Sequence, residues 1–408
     1  MVLLINLSKV LPIIFLLFSG IGLFGSLWIM IPAPTFSLLP LGVVAPEISP
    51  WLILLNAIAL VLTSSQLQVG VVEEVAIIAS LGGLLLSGLP LIQLPAANDK
   101  LASSMAAVLG GDYLNKIPTS LQKQMRPQPF VLLDVFRGIP LEEVRIQRGV
   151  VFASPSGVAL RLNLYQPLVT GKYPTIIIIY GGAWQNGTAN SDETFSRYMA
   201  AQGYSVIAID YRHAPQYKFP SQLEDVQTAL QYIQSHAEQL EVDWERLAIM
   251  GRSAGGHLAL LTAYQPDALP FRAVVSYYAP SNLTEGYNEP PFPNPIKTHA
   301  ILHDFLGAGP QEIPEIYQKA SPASYVRGNL PPSLLVYADN DHVVQAKFGQ
   351  RLHQKLHSYG NSTVFLNIPW AEHAFDSVFF GLSNQVALYY TERFLAWALL
   401  IERGGLDG

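Results

Sequence analysis

The chain has 408 residues, so a core domain with an appendage is expected rather than one average domain. Hydrophobic residues make up 50% and charged residues only 13%, where a soluble domain carries roughly 25% charged, and the mean hydropathy is +0.28; part of the chain avoids water. A formal net charge of −6 leaves no basic footprint for nucleic acid, and a sequence without cysteine excludes disulfides, thiolate metal sites and a Cys nucleophile.

The charge deficit lies at the N-terminal end, where Glu47, Glu73 and Glu74 alone carry charge between Val10 and Pro95. Val10 to Ile31 is an apolar run preceded by Lys9 and closed by Pro32 and Pro34. A spanning helix needs about 20 apolar residues, and the run exceeds the roughly 7–15 residues of a cleaved signal core, so a retained anchor is expected. Its ladder Gly20, Gly22, Gly25, Ser26 would let another helix approach closely. A second run, Trp51 to Leu62, extends back toward Phe36 through Pro40, Pro46 and Pro50 and reads as a tilted span or a re-entrant piece. A third covers Val75 to Leu94. Residues 1–95 are therefore expected to form an all-α transmembrane segment of two to three helices, making the protein integral to the membrane and multi-pass, with the bilayer as a partner. Lys9 argues for an inside N-terminus, and Lys100, Lys116, Lys123 and Arg126 argue for an inside C-terminal domain. Three spans cannot satisfy both, so the side on which the following domain works stays open.

Residues 96–140 read as a juxtamembrane linker, partly helical, with the turn-rich Met125-Arg-Pro-Gln-Pro129. From about 141 to 405 the pattern changes to one α/β domain. Val144–Phe152 and Ala159–Tyr165 are predicted strands around the turn signal Ser154-Pro-Ser-Gly157. Thr175–Tyr180 is a β-branched run suited to a strand buried on both faces of a parallel sheet. Helix Thr194–Gln202, strand Ser205–Ile209, helix Ser221–Gln239, strand Leu247–Met250, helix Ala254–Tyr264 and strand Ala273–Tyr278 follow. After an irregular stretch come strand Ser333–Tyr337, helix Val343–Tyr359, strand Ser362–Ile368 and a last helix to about Ile401. The alternation predicts a doubly wound, mostly parallel sheet.

Gly251-Arg-Ser-Ala-Gly255 fits G-x-S-x-G between an apolar strand and a helical run, the context of a nucleophile elbow. The serine of such an elbow sits on a strained turn, and side chains two positions either way would clash; Ser253 is the candidate nucleophile. Tyr180-Gly-Gly-Ala-Trp184 ends an earlier strand with small residues whose N–H groups could meet an oxyanion, so Gly182, Ala183 and Ala254 are the candidate donors. Among nine histidines, His373 lies between the last predicted strand and the last helix and is the candidate base. His257 reads as packing, while His299 with His303 and His353 with His357 are i,i+4 pairs without the H-E-x-x-H pattern of a metal site. The acid should follow strand Ser333–Tyr337, where spacing favours Asp341 and leaves Asp339 as the alternative or a turn residue.

From about Lys172 to Phe375 the chain resembles the hormone-sensitive-lipase-like esterases of the α/β-hydrolase superfamily. The resemblance rests on Tyr180-Gly-Gly-Ala-Trp184, Asp210-Tyr-Arg-His-Ala-Pro-Gln216 with Phe219-Pro220, Gly251-Arg-Ser-Ala-Gly-Gly-His257 and the Asp341 and His373 segments. The order Ser, Asp, His along the chain is that of the superfamily. The family's first motif usually begins with His, and Tyr180 departs from it. The arrangement is also similar to isoprenylcysteine methylesterases, which pair a membrane segment with such a core and also lack that histidine. The resemblance implies an ester substrate, an acyl-enzyme, no metal and no organic cofactor. It also implies a structural role for Asp210 and His213, and a cap over the site in the insertion about 281–322, with Tyr287, Phe292, His303, Phe305 and Tyr317 as apolar walls. Arg252 is read as a structural ion-pair partner, or else as a reader of a substrate carboxylate. A membrane-anchored serine carboxylesterase is the expected function. A peptidase or amidase, an acyltransferase, or a non-catalytic membrane binding protein are the alternatives.

Overall fold

The computed structural model describes residues 7–66 and 70–400. Residues 1–6 and 67–69 of the expected 1–95 segment, Ile401 at the expected end of the last helix and residues 402–405 lie outside that range.

The N-terminal quarter is a helical bundle of inverted polarity. Helices α1 (Leu7–Leu27), α3 (Ser49–Ser64) and α4 (Val71–Leu109) pack side by side. Ser19, Ser26, Asn56, Thr63, Ser80 and Ser87 are fully buried, while Ile13, Leu17, Ile21, Phe24, Ile78, Leu81 and Leu85 face outward. Ser80 bonds Ser19 (2.9 Å), and the Asn56 amide donates to Ser26 Oγ (3.2 Å) and the Leu52 carbonyl (2.8 Å). Asn56 fits only because Gly22 of α1 and Gly83 of α4 lack a Cβ, and Gly25 admits Leu52; Gly20 of the predicted ladder faces open space. Small and hydroxyl residues inside and aliphatic residues outside are what lipid, rather than water, favours.

α1 and α4 are each long and apolar enough to cross a membrane. The second apolar run is not one straight element. α2 (Leu39–Glu47) meets α3 at an 81° bend, and α3 alone, 16 residues, rises about 24 Å, short of a hydrocarbon core of about 30 Å. The third run also differs from its expected bounds. It continues past Leu94 through Pro90 and Pro95 as a single helix to Leu109, so the expected linker begins inside α4. There Ala97, Leu101, Met105 and Leu109 are buried in the core of the following domain.

Three short helices, α5 (Tyr113–Lys116), α6 (Thr119–Gln122) and α7 (Leu132–Arg137), carry the chain over that domain. Arg126 is not a free charge there. It pairs with Asp134 (3.0 Å) and Gln385 (2.6 Å) in the interior.

The remaining domain is one eight-stranded sheet in the order β1-β2-β4-β3-β5-β6-β7-β8. β1 (Arg145–Ala153) and β2 (Leu160–Gln166) form an antiparallel edge, and β3 (Tyr173–Ile179), β4 (Ser205–Ile209), β5 (Val242–Arg252), β6 (Ala273–Tyr277), β7 (Ser333–Ala338) and β8 (Thr363–Ile368) run parallel. Ile176 to Ile179 are fully buried because helices cover both faces. α8 (Glu193–Ala201), α9 (Ser221–Ser235), α10 (Ala254–Tyr264), α14 (Ala346–Ser358) and α15 (Leu382–Leu400) supply those layers. The cap insertion holds α11 (Leu283–Asn288), α12 (Thr298–Leu306) and α13 (Pro314–Lys319). Two predicted helices are shorter than expected: α9 ends at Ser235 rather than Gln239, and α14 starts at Ala346 rather than Val343. The predicted strand Leu247–Met250 is the centre of the longer β5.

The two parts are joined by a buried carboxyl group. Glu47 at the end of α2 accepts the Ser383 N–H (2.8 Å) in the first turn of α15, whose N–H groups have no partner within the helix. Glu47→Ala is expected to lower stability by about 1–3 kcal/mol by orphaning that donor, read as a fall in melting temperature of the detergent-solubilised chain.

Candidate active site

The strand order reverses between β3 and β5, since β4 lies on one side of β3 and β5 on the other. In a doubly wound sheet that reversal opens a crevice at the carboxyl ends of the strands. Ile179 pairs with Gly251, so the turns that leave β3 and β5 sit next to each other. These turns are Tyr180-Gly-Gly-Ala-Trp184 and Gly251-Arg-Ser-Ala-Gly255.

Ser253 stands at the tip of the second turn with φ 50° and ψ −120°. A non-glycine residue pays steric energy there of about 1–3 kcal/mol. Hydrogen bonds from Ser253 N to Tyr277 O and from His257 N to Ser253 O (both 2.9 Å) hold it. The flanking glycines are required by close approach. A Cβ on Gly251 would strike the Gly255 carbonyl, and one on Gly255 would strike the carbonyls of Ile179 and Tyr180.

His373 Nε2 lies 3.0 Å from Ser253 Oγ, and His373 Nδ1 lies 2.8 Å from Asp341 Oδ2. The structure thus brings Ser253, His373 and Asp341 together from three separate loops. Asp341 Oδ1 accepts the N–H groups of Val343 and Val344 (2.7 Å each), which explains why these residues form a loop and not the start of α14. Asp339 points elsewhere and accepts from the Asn367 amide (2.9 Å). Burial opposes protonation of His373, but the adjacent Asp341 carboxylate outweighs it and holds the imidazole pKa above its ordinary value.

Gly182, Ala183 and Ser253 border the cleft, and Ala254 borders a smaller pocket that meets it at Ser253. Ala183 takes φ 54°, and Ala254 is the first residue of α10, where its N–H has no helical partner. Tyr180, in the place of the family's usual histidine, stacks on Tyr211 (4.5 Å) and its hydroxyl meets His213 Nε2 (2.8 Å). Asp210 accepts the N–H groups of Ala189 (2.7 Å) and Arg161 (3.2 Å), bracing the edge of the sheet.

Four of the other histidines pack elsewhere. His257 receives the Trp184 indole N–H (3.2 Å) and meets the Ala320 carbonyl (2.6 Å), and burial pushes its pKa down to about 4. His299 and His303 stack on Tyr287, and His353 stacks on Phe365.

Several supporting residues carry no local sequence signal. Glu372 accepts the N–H groups of His342 (2.7 Å) and His373 (2.9 Å) and pairs with the His342 ring (2.6 Å), tying the Asp341 and His373 loops together. Arg252 turns away from the cleft. It pairs with Asp192 (3.0 Å) and Asp376 in the interior and lies over the Phe195 ring (4.6 Å). Asp376 also accepts the Tyr278 hydroxyl, and the Tyr278 ring packs on His373 (4.6 Å).

The walls of the cleft differ from expectation. Of the aromatic residues expected there, Phe305 stacks on Trp184 (4.0 Å), Tyr317 is buried, and Phe292 is 97% exposed; none of the five lines it. Mostly aliphatic residues do so instead. The cap contributes Pro295, Ile296, Lys297 and Ile301, and the N-terminal segment contributes Phe36, Leu39, Pro40, Val43 and Val44.

The sheet order, the elbow and the Ser-His-Asp geometry define an α/β-hydrolase fold. A family model described as BD-FAE matches residues 162–356. The chain is 26% identical over 290 residues to a probable carboxylic ester hydrolase, LipM, of Mycobacterium tuberculosis (66% of each chain), and 29% identical over 243 residues to esterase LipC of the same organism (56% of this chain, 60% of that one). The matches therefore span less than two thirds of these relatives' length. Among solved structures, a bacterial heroin esterase superposes with a TM-score of 0.55 at 25% identity, covering 63% of this chain and 84% of that one. A hyperthermophilic esterase from Pyrobaculum calidifontis shares the fold with the same score at 23% identity, covering 64% and 88%. In sequence and fold the chain is similar to the hormone-sensitive-lipase-like esterases of the α/β-hydrolase superfamily.

Proposed function

We propose that the chain is a membrane-anchored serine carboxylesterase, with Ser253 as nucleophile, His373 as base and Asp341 as its orienting acid. The observation that carries this reading is the pair of contacts at His373, 3.0 Å to Ser253 Oγ and 2.8 Å to Asp341. Ser253 Oγ adds to the acyl carbon as its proton passes to His373 Nε2. The negative charge that gathers on the carbonyl oxygen would be met by the N–H groups of Ala183 and Ala254, with Gly182 beside them. As the ester C–O bond breaks, His373 returns the proton to the departing alkoxide. Water, deprotonated by the same imidazole, then cleaves the acyl-enzyme and restores Ser253. The inverted polarity of the α1, α3 and α4 bundle supports the anchor. Three crossings would set the N-terminus and the hydrolase domain on opposite faces of the bilayer.

A fluorophosphonate probe tests the enzyme reading: wild-type chain should label and Ser253→Ala should not, whereas no labelling of folded wild type would overturn it. Matched ester and amide substrates separate an esterase from an amidase. A second expected result concerns pH. His373 must be neutral to accept a proton, so kcat/KM should rise with pH through its elevated pKa and level off above. Asp341→Asn removes the carboxylate that raises it. The inflection should move to lower pH, and the plateau should drop by about 10⁴-fold, as read from pH–rate profiles on a small ester.

A further inference from the structure

Two cavities meet at Ser253, and they differ in size and in what borders them. One is a narrow pocket of ≈ 60 Å³ under the cap, bordered by Ala183, Ala254, Leu283, Ile301, Leu302 and Phe348. The other is a cleft of ≈ 830 Å³ between the cap and α2. His373 borders the large cleft and not the small pocket. This asymmetry assigns the two ends of an ester. The imidazole must hand its proton to the leaving oxygen, so the alcohol departs on the side that His373 faces. The acyl group then falls to the opposite side. The small pocket, less than a tenth of the cleft in volume, suits a short acyl chain.

The large cleft has a wall that the hydrolase domain alone would not possess. Leu39 and Val43 of α2 are buried against Val343, two residues beyond Asp341, and Gly42 faces Glu372, the neighbour of His373. Met30, Ile31, Phe36 and Leu41, in the segment that leads from α1 into α2, expose apolar surface as the outward face of α1 does. An apolar chain can therefore run past Phe36 to Ser253 along the apolar α2 wall; Gln185, Asn186 and Lys297 also border the cleft.

We infer that the substrate is a short-acyl ester of a long apolar alcohol, drawn from the bilayer along α2, and that Leu39 and Val43 determine its specificity for the alcohol. This rests on the Ser253–His373–Asp341 reading.

The full-length chain in mixed detergent micelles, with substrates at matched mole fraction, provides the test. The probes are ethyl, octyl and hexadecyl acetate as one series, and ethyl octanoate and ethyl hexadecanoate as the other. Hexadecyl acetate should be cleaved with a kcat/KM about tenfold or more above ethyl acetate and above ethyl hexadecanoate. Val43→Trp, which fills the cleft, should lower the ratio of hexadecyl acetate to ethyl acetate by about tenfold. Leu39→Trp serves as the second variant should the first fail to fold by circular dichroism. Cleavage of ethyl hexadecanoate as fast as hexadecyl acetate, or a ratio untouched by both tryptophans, overturns the inference and leaves the esterase reading standing. No cleavage of any ester by folded wild type overturns both.

Discussion

Ser253→Ala is expected to reduce kcat on a small ester by on the order of 10⁴–10⁶-fold with little change in melting temperature. The serine hydroxyl is the group placed 3.0 Å from His373, and no other hydroxyl borders the cleft at that distance from the imidazole among the described residues. The residue's backbone, φ 50°, is fixed by the strands and by the glycine contacts around it, so alanine inherits the same turn. Residues that act as one unit do not contribute additively. The double variant Ser253→Ala, His373→Ala should therefore be no slower than Ser253→Ala alone, because with the hydroxyl gone the imidazole has no nucleophile to activate. A further large loss in the double variant would mean that His373 serves another step independently.

The largest expected effect on stability lies one residue earlier. Arg252 is 7% exposed and stands between Asp192 and Asp376. Burial works against its charge, but the two carboxylates outweigh that and hold the guanidinium pKa above its ordinary value. Replacing it with alanine strands two buried carboxylates without a cation and empties the space over Phe195 and Tyr277. A loss of about 3–5 kcal/mol is expected, measured by chemical or thermal unfolding. Arg252→Met with Asp376→Asn should recover part of it, since the pair is then removed rather than broken. Activity should fall as well in the single variant, because Asp376 holds Tyr278 and Tyr278 packs against His373.

How far the sequence foretold this arrangement depended on how local each signal was. β4 and α10 fall where the pattern placed them, and most other strands lie within a residue or two, because a buried parallel strand writes itself as a contiguous apolar run. Gly251-Arg-Ser-Ala-Gly255 was legible for a similar reason, since its steric demand is met by neighbours two positions away. Asp341 was harder to separate from Asp339. The choice is made by direction, one carboxylate facing His373 and the other Asn367, and spacing encodes direction only weakly. Glu372 and Asp376 could not have been found, for each takes its meaning from partners 30 and 124 positions distant along the chain.

The N-terminal segment was the least legible in detail. Composition identifies apolar helices but not which of them touch the sheet, so α2's place in the cleft stayed hidden behind the expectation of a span. Loop charges left sidedness open, and one of the cations counted toward it, Arg126, proves to be an interior ion-pair partner of Asp134. The third apolar run was given an end at Leu94. Pro90 and Pro95 are accommodated within the helix, and α4 runs on to Leu109.

That uninterrupted helix has a mechanical consequence. At 39 residues α4 is a rod of about 58 Å, gripped at its first half by α1 and α3 and at its second by the core through Leu101 and Met105. Height and angular phase of the two halves are thereby locked. Inserting one residue near its middle would lift one half by about 1.5 Å and rotate it by about 100° against the other, swinging α2 off the Val343 loop. Ser253 consequently works at a distance and a bearing from the outward faces of α1 and α4 that one continuous helix sets.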